Sequence, residues 1–357
     1  MAQVEFSPDE LDGFAALLDD QDTRLDALSR YADVTCRAVD DLGDLREPFD
    51  ALGRAHAQVF AESQSGLGHT AELLTRAARE YRARDLDAAT TLDRLHGGFH
   101  SSTLNPTGSI APDRTTPRAE PSRATLPAGS GVPGRTLSAD SDARLTLPVP
   151  EVHRHERLAS AEDRLAGHAD LWHRLTRDDL PALVTAPLAG PLTGLPFLAT
   201  AYATLGAGTS VVLADLGTGV PTWRTPAGAE FDGHLRGWRA GLAGVAELDR
   251  TIAAELARAS ATVLGAAERV LDLADELLAG PLARLRALVY PDRSLRIWLV
   301  PAQTHEIYTE LRRGLDLLAA IGAVHADVAG ARTALADQLG QWRGACESLL
   351  PSAGRRA

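Results

Sequence analysis

Lysine is absent from this chain of 357 residues, so all 36 basic side chains are arginine. Such a bias is typical of a GC-rich coding sequence, and it reports the host rather than the chemistry of the protein. The formal net charge is −12, and no basic stripe is visible. A protein that binds nucleic acid needs such a stripe to displace counterions from the phosphates. The composition therefore argues against a nucleic-acid partner.

Aromatic residues are also few, at 5% of the chain, although the apolar share of 45% is ordinary. Alanine and leucine supply most of that apolar share, a mixture that favours long helices over sheets. The chain is long enough for two domains with a substantial core. We therefore expect a mainly α protein.

Two cysteines, Cys36 and Cys346, are too few for a disulfide framework. Cys36 follows Ala32 by four residues on an apolar helix stripe, which predicts a buried free thiol. Neither cysteine has a helix start or a neighbouring histidine that would activate a thiolate. Residues 1–10 also lack the basic and apolar regions of a Sec signal peptide, so we do not expect Sec export.

Three regions differ in composition. Residues 99–150 hold eight of the twenty prolines, with many serines and threonines, and have too little apolar surface to offset the entropy of ordering. We predict a flexible, disordered Pro-rich linker there. Residues 1–98 are predicted to form an antiparallel helical hairpin, and residues 151–357 a bundle of long helices with one or two small β-hairpins.

The N-terminal region opens with a helix-start pattern. The run Ser7-Pro8-Asp9-Glu10 has the capping serine, the early proline and the glutamate of a capping box. Apolar residues then recur at spacings of three, four and seven, as on one face of a helix. This pattern fails around residues 41–44, so we predict the hairpin turn at Leu42 and Gly43.

A second helix is predicted from about Ala51 until Gly97-Gly98. Its apolar seam includes Phe60, Leu67 and Leu74. The hairpin alone would leave part of this seam in contact with water, which indicates a partner protein or self-association.

Two longer apolar seams follow in the C-terminal region. The first includes Trp238 and Leu242 and ends at Gly280-Pro281; the second covers residues 307–349 and includes Trp342. Each predicts a helix about 60 Å long or more. We expect these seams to serve oligomerisation or partner binding.

The predicted β-hairpins lie beside these helices. Residues 287–290 and 295–300 flank a Pro-Asp-Arg-Ser turn, and a second pair is predicted at residues 210–213 and 220–223. Residues 180–214 carry no charge but contain four prolines and several glycines. We interpret them as an irregular, partly buried connection, with a membrane-active segment as the alternative.

The N-terminal module resembles the EspC-like branch of actinobacterial type VII (ESX) secretion proteins, which are relatives of the small WXG helical hairpins. The resemblance covers residues 7–96 and rests on the hairpin, its central turn and Tyr81-Arg82-Ala83-Arg84-Asp85, which matches the export signal Y-x-x-x-D/E. It implies that the secretion machinery reads Tyr81 and Asp85 within a folded helical pair. The two residues are one turn apart and share a helix face.

The sequence departs from the WXG pattern at the turn, where Asp41-Leu42-Gly43 stands in place of the expected tryptophan. The EspC-like branch tolerates this change. A Trp-Arg-Gly triplet does occur at residues 342–344, but it lies inside the last predicted helix with no second helix after it. We treat that triplet as a coincidence.

No convergent set of reactive groups stands out, so we predict no catalytic residue, metal or cofactor, although residues 151–357 leave the question of an enzyme open. His96 and His100 are four residues apart, but Gly97-Gly98 between them disfavours a metal site on one helix face.

Three functions compete. The leading hypothesis is a non-enzymatic type VII substrate or secretion-associated protein, secreted or held at the cell surface. Its partners would be a helical type VII protein or a second copy of the chain, together with the secretion machinery. The alternative is a polymorphic toxin with an N-terminal targeting hairpin and a C-terminal effector domain. A third is a membrane-perturbing effector that uses residues 180–214.

Overall fold

A computed structural model of the chain describes residues 7–37, 39, 42–99, 136–137, 145, 147–150, 156–218, 220–221, 226–289 and 301–349. Nearly all of these residues are helical, which confirms a mainly α protein. In chain order the elements are α1 (Pro8–Val34), a 3-10 turn (Gly43–Leu45), α2 (Arg46–Phe99), β1 (Thr136–Leu137), β2 (Leu147–Pro148), α3 (Glu156–Thr176), α4 (Leu180–Val184), α5 (Ala186–Leu216), α6 (Pro226–Leu277), a π-helical turn (Leu278–Leu282), α7 (Ala283–Val289) and α8 (Pro301–Ser348).

The residues in the first turns of α1 and α2 explain where these two helices begin. Ser7 is the N-cap of α1, but its side chain makes no capping hydrogen bond; its carbonyl accepts from the amide of Glu10 at 3.1 Å. Helix α2 begins at Arg46, earlier than predicted, because Pro48 lies in the first turn, where amides have no partner within the helix. It also continues through Gly97-Gly98 to Phe99.

Helices α1 and α2 lie antiparallel. Near the end of α1, the Ser29 hydroxyl donates to the carbonyl of Ala57 at 2.9 Å. Near its start, Arg82 Nη2 lies 2.5 Å from Asp9 Oδ1. Early residues of α1 therefore face late residues of α2.

Helices α5 and α6 form a second antiparallel pair, which packs against the first. Gly206 of α5 approaches Asp249 so closely that an added Cβ would lie 3.1 Å from the Asp249 Cβ. Nearer the connection between the two helices, Gly217 approaches Arg239. The four helices form a four-helix bundle, and its continuous hydrophobic core also includes the C-terminal half of α8, which packs against α2 and α6.

The second half of α6 extends past this bundle and packs with α3, α7 and α8. Trp172 of α3 is fully buried there, and an added Cβ at Gly314 of α8 would lie 3.1 Å from its ring. On the outside, Arg164 pairs with Asp275 at 2.7 Å. Helix α6 is thus common to both ends of the molecule.

Residues 180–214 lie in helices α4 and α5, so the predicted irregular connection is wrong. Pro181 and Pro187 lie in first turns, where a missing amide proton costs no hydrogen bond. Pro191 and Pro196 lie inside α5, where each removes one. Burial outweighs that cost, because each fully buried leucine contributes about 1.5–3 kcal/mol. The fully buried leucines and valines of α4 and α5 are Leu180, Val184, Leu188, Leu198, Leu205, Val212 and Leu216.

The predicted β-hairpins are also wrong where the structure describes them. Residues 210–213 belong to α5 and residues 287–289 to α7, whereas residues 290–300 and 222–223 lie outside the described residues. The helical structure does not end at Gly280-Pro281, as predicted, because one π-helical turn accommodates the proline. Leu282 and Leu285 continue the buried face beyond it.

The end of the predicted linker belongs to the core. Strand β2 pairs with β1 in antiparallel register, with Leu137 opposite Leu147. Leu145 and Leu147 are buried, and the Tyr31 hydroxyl donates to the carbonyl of Pro148 at 2.8 Å. These residues therefore pack in the core, whereas the sequence predicted a flexible linker for them. The rest of that segment, residues 100–135, 138–144 and 146, lies outside the described part of the chain.

Candidate functional site

The distal end of α2 leaves the bundle near Arg82. The guanidinium of Arg82 pairs with Asp9 and Asp12, in the first turns of α1. Because α1 begins beside Arg82, no residue of α1 covers the part of α2 that follows Arg82. From Arg82 to Thr91 every described side chain is exposed.

Tyr81 and Asp85, the predicted export signal, lie at this point of departure. Tyr81 is half-buried and Asp85 is exposed, one helical turn further along α2. Arg82, between them in sequence, is fixed by the two aspartates of α1. The tyrosine ring, the free carboxylate and the Arg82 ion pairs therefore lie together where the helical pair ends.

Leu42 and Gly43, the predicted turn, lie in the connection between α1 and α2. Leu42 is buried, and Gly43 has a φ of 61°, a left-handed conformation that glycine adopts without strain. The Arg332 side chain of α8 covers this turn, because its Nη2 donates to the Leu42 carbonyl at 3.2 Å and pairs with Asp44. An added Cβ at Gly43 would lie 2.6 Å from that nitrogen.

The predicted assembly seam is covered by the chain itself. Phe60, Leu67 and Leu74 of α2 are buried, as are Trp238 and Leu242 of α6. The two helices meet at Gly66, where an added Cβ would lie 2.1 Å from the Trp238 ring. In this conformation these seam residues offer no surface to a separate partner.

Trp342, the last predicted seam residue, is half-buried on α8 and packs against the same core. It lies within α8, as does the rest of its Trp-Arg-Gly triplet. That placement agrees with the interpretation of the triplet as a coincidence. Cys36 is a buried free thiol, as predicted, and Cys346 is buried and free as well.

A buried ion pair joins the two helical pairs, and sequence reasoning missed it. His56 Nε2 of α2 lies 2.8 Å from Asp249 Oδ1 of α6, and both side chains are 0% exposed. The Nδ1 of His56 lies 3.0 Å from the Leu52 carbonyl. Because a carbonyl can only accept, Nδ1 carries a proton, and Nε2 is the nitrogen that faces the Asp249 carboxylate.

Other polar groups surround this pair. The Tyr202 ring of α5 lies edge-on to His56, with ring centroids 5.3 Å apart. Burial alone lowers the pKa of His56, but Asp249 and then Cys346 raise it well above its usual value. Burial raises the pKa of Asp249, and His56 offsets only part of that rise. The nearby carboxylate therefore favours the protonated form of His56 inside the core.

The sequence does contain a signal for this pair. His56 lies four residues before Phe60 and Asp249 lies four residues after Val245, so each occupies an apolar seam. A titratable residue on a seam indicates a buried partner. The partner itself could not be chosen from sequence, because the two lie on distant helices.

A shallow apolar groove of about 400 Å³ runs between α2 and the start of α6. Trp238 Nε1 donates to His234 Nε2 at 2.9 Å, so this nitrogen accepts and the ring is neutral. Burial, and then the neighbouring His69, lowers the pKa of His234. The groove is lined by His69, Thr70, Leu73, Leu74, Ala77, Ala227, Glu230, Phe231 and His234.

Within the described residues, no three histidine, cysteine, aspartate or glutamate side chains are grouped so that they could hold a metal ion. The side chain of His96, and all of His100, lie outside those residues. Comparison of the chain with protein-family models, with curated proteins and with solved structures finds no significant match.

Proposed function

We propose that this chain is a non-enzymatic protein exported by a type VII secretion system, and that α5 and α6 act as the helical partner of α1 and α2. The same chain thereby supplies a helical partner, in place of the separate protein or second copy expected from the sequence. The observation that carries the proposal is the position of Tyr81 and Asp85, one turn apart on α2 where it leaves a folded helical pair.

The surroundings of this site support recognition by another protein. Asp85 is exposed, whereas Arg82 is held by Asp9 and Asp12 and so leaves the Asp85 carboxylate for a partner. A receptor that reads an aromatic ring together with a carboxylate would need both on one face, and helical spacing provides this. The Asp9 and Asp12 contacts also make the site depend on the folded pair.

The contacts between the two helical pairs support the internal partner. Phe14 of α1 meets Phe231 of α6 edge-on, with ring centroids 5.8 Å apart. Arg24 of α1 pairs with Asp215 of α5. Together with the buried seam, these contacts cover apolar residues that the hairpin alone would leave in contact with water, which supports a partner within the chain.

Export is tested with single substitutions in a host that secretes the chain. Tyr81→Ala and Asp85→Ala should each remove most of the protein from the culture filtrate while the cell-associated amount stays the same. Tyr308→Ala is the matched control, because Tyr308 is 62% exposed on α8 with no acidic residue four positions later. Undiminished Tyr81→Ala protein in the filtrate would refute the export proposal.

A second experiment separates this proposal from the polymorphic toxin. The shared core favours the structural protein, because a separable effector domain would have its own core. Expression of the full chain in a bacterial cytoplasm should leave growth unchanged. Growth arrest that one substitution relieves would favour the toxin instead.

A further inference from the structure

Helix α5 carries no charge over a length greater than a bilayer needs. Residues 180–214 contain no charged side chain, and Asp179 and Asp215 flank them. The helix, Ala186–Leu216, is uncharged up to Ala214. At 1.5 Å per residue this uncharged part is about 44 Å long, whereas the hydrocarbon core of a membrane is about 30 Å thick.

Burial in the bundle accounts for only part of this composition. A helix that is apolar all round is either buried all round or spans a membrane. Only 50% of the most apolar window of α5 is buried. The exposed side chains of α5 form an uncharged stripe, at Ala186, Pro196, Thr200, Ala203, Ala207 and Ala214.

The neighbouring helix shows that this stripe is specific to α5. Helix α6 packs along α5 and exposes Glu247, Arg250 and Arg258 to solvent. A bundle helix ordinarily has this pattern, with charge outside and apolar residues inside. Helix α8 also has an apolar stretch long enough to span a membrane, but Asp316 and Asp327 lie exposed on it. Only α5, of these two candidates, has a bilayer-length stretch without charge.

We propose that α5 is a membrane-inserting helix, stored in the four-helix bundle, whose partner is the acyl-chain region of a lipid bilayer. A protein partner would require one apolar face, whereas residues 186–214 of α5 carry no charged side chain on any face. The aspartates that flank the uncharged segment would remain at the membrane surfaces. In the stored state, the pairing of Asp215 with Arg24 and the packing against α1 and α6 hold α5 in place.

The test is flotation of the full chain with vesicles of phosphatidylcholine and phosphatidylglycerol, in low and in high salt. The wild-type chain should float in both. Ala207→Arg changes an exposed residue near the centre of the uncharged stripe, so it should leave the melting temperature unchanged. It should reduce flotation at least tenfold, because an arginine near the centre of a spanning helix opposes insertion. Ala254→Arg, at an exposed position on α6, is the matched control and should float like the wild type.

A label then identifies the inserted segment. Because Cys36 and Cys346 are buried, an environment-sensitive dye can be attached to Ala207→Cys or Ala254→Cys in the folded chain. Spin-labelled lipids should quench the dye at position 207 and leave the dye at position 254 unquenched. A wild-type chain that stays in solution, or floats only in low salt, overturns the proposal. Flotation that Ala207→Arg does not reduce also overturns it.

Discussion

His56 Nε2 and Asp249 Oδ1 lie 2.8 Å apart at a place where neither side chain contacts solvent. This pair links α2 to α6 and therefore the N-terminal helical pair to the C-terminal one. Removal of one partner leaves the other buried and uncompensated. Its strength can be measured separately from the hydrophobic contacts around it.

His56→Leu alone and Asp249→Val alone should each lower the free energy of unfolding by about 3–5 kcal/mol, the usual cost of breaking a buried ion pair. The double variant should recover most of that loss, because two apolar side chains leave no buried charge. Urea unfolding of the four proteins measures the coupling energy. Additive losses in the double variant would contradict a coupled pair.

The same pair predicts a pH dependence. The folded-state pKa of His56 is raised well above 6.5, so the stability that His56 contributes is fully present below pH 6.5 and is lost as pH rises through the folded-state pKa. Above pH 6.5 the folded state binds one more proton than the unfolded state, so stability falls by up to about 1.4 kcal/mol per pH unit. The double variant should lack this slope in urea titrations above pH 6.5. Equal slopes in both proteins would show that other groups cause the dependence.

Gly66→Ala should destabilise the chain by about 1–3 kcal/mol, because the added methyl group overlaps the buried Trp238 ring. Gly13→Ala is the control, since an added Cβ there meets nothing within 4 Å. It should stabilise the helix by about 0.5–1 kcal/mol. Thermal melts of both variants measure these changes in stability. Stabilisation by Gly66→Ala would show that α2 and α6 lie further apart at this crossing.

Leu67→Ala should lower the free energy of unfolding by about 2–5 kcal/mol, because Leu67 is fully buried within one chain. Leu86→Ala, at a side chain that is 67% exposed, should change it by less than about 0.5 kcal/mol. The unfolding midpoint of the wild type should not vary with protein concentration. A midpoint that rises with concentration would mean that the seam is shared between copies.

Cys36 and Cys346 should resist a thiol reagent in the folded chain and react with it in guanidinium chloride. Both thiols are buried and free, and burial raises the pKa of Cys36, so little reactive thiolate forms. The absorbance of released thionitrobenzoate measures how many thiols have reacted. Rapid reaction of either cysteine under native conditions would mean that the bundle opens locally.

Apolar spacing was sufficient to predict α1, α2, α6 and α8, because each carries one stripe with charges opposite. It failed for α5, since residues 186–214 carry no charge and so show no polar face that would reveal the helical period. Prolines 191 and 196 then indicated a break that burial prevents. Sequence also could not show whether an apolar seam packs within the chain or against a partner. Trp238 is compatible with both, and its contact with Gly66 shows that it packs within the chain. For the same reason the His56–Asp249 pair required the three-dimensional structure.

Because α5 and α6 cover the apolar face of α1 and α2, the order of synthesis matters. The ribosome completes α2 well before it reaches Leu277, the last residue of α6. At about 5–20 residues per second, the growing chain exposes that face for about ten seconds or longer. A chaperone that binds apolar helices should therefore associate with the nascent chain, and release it only after α6 emerges.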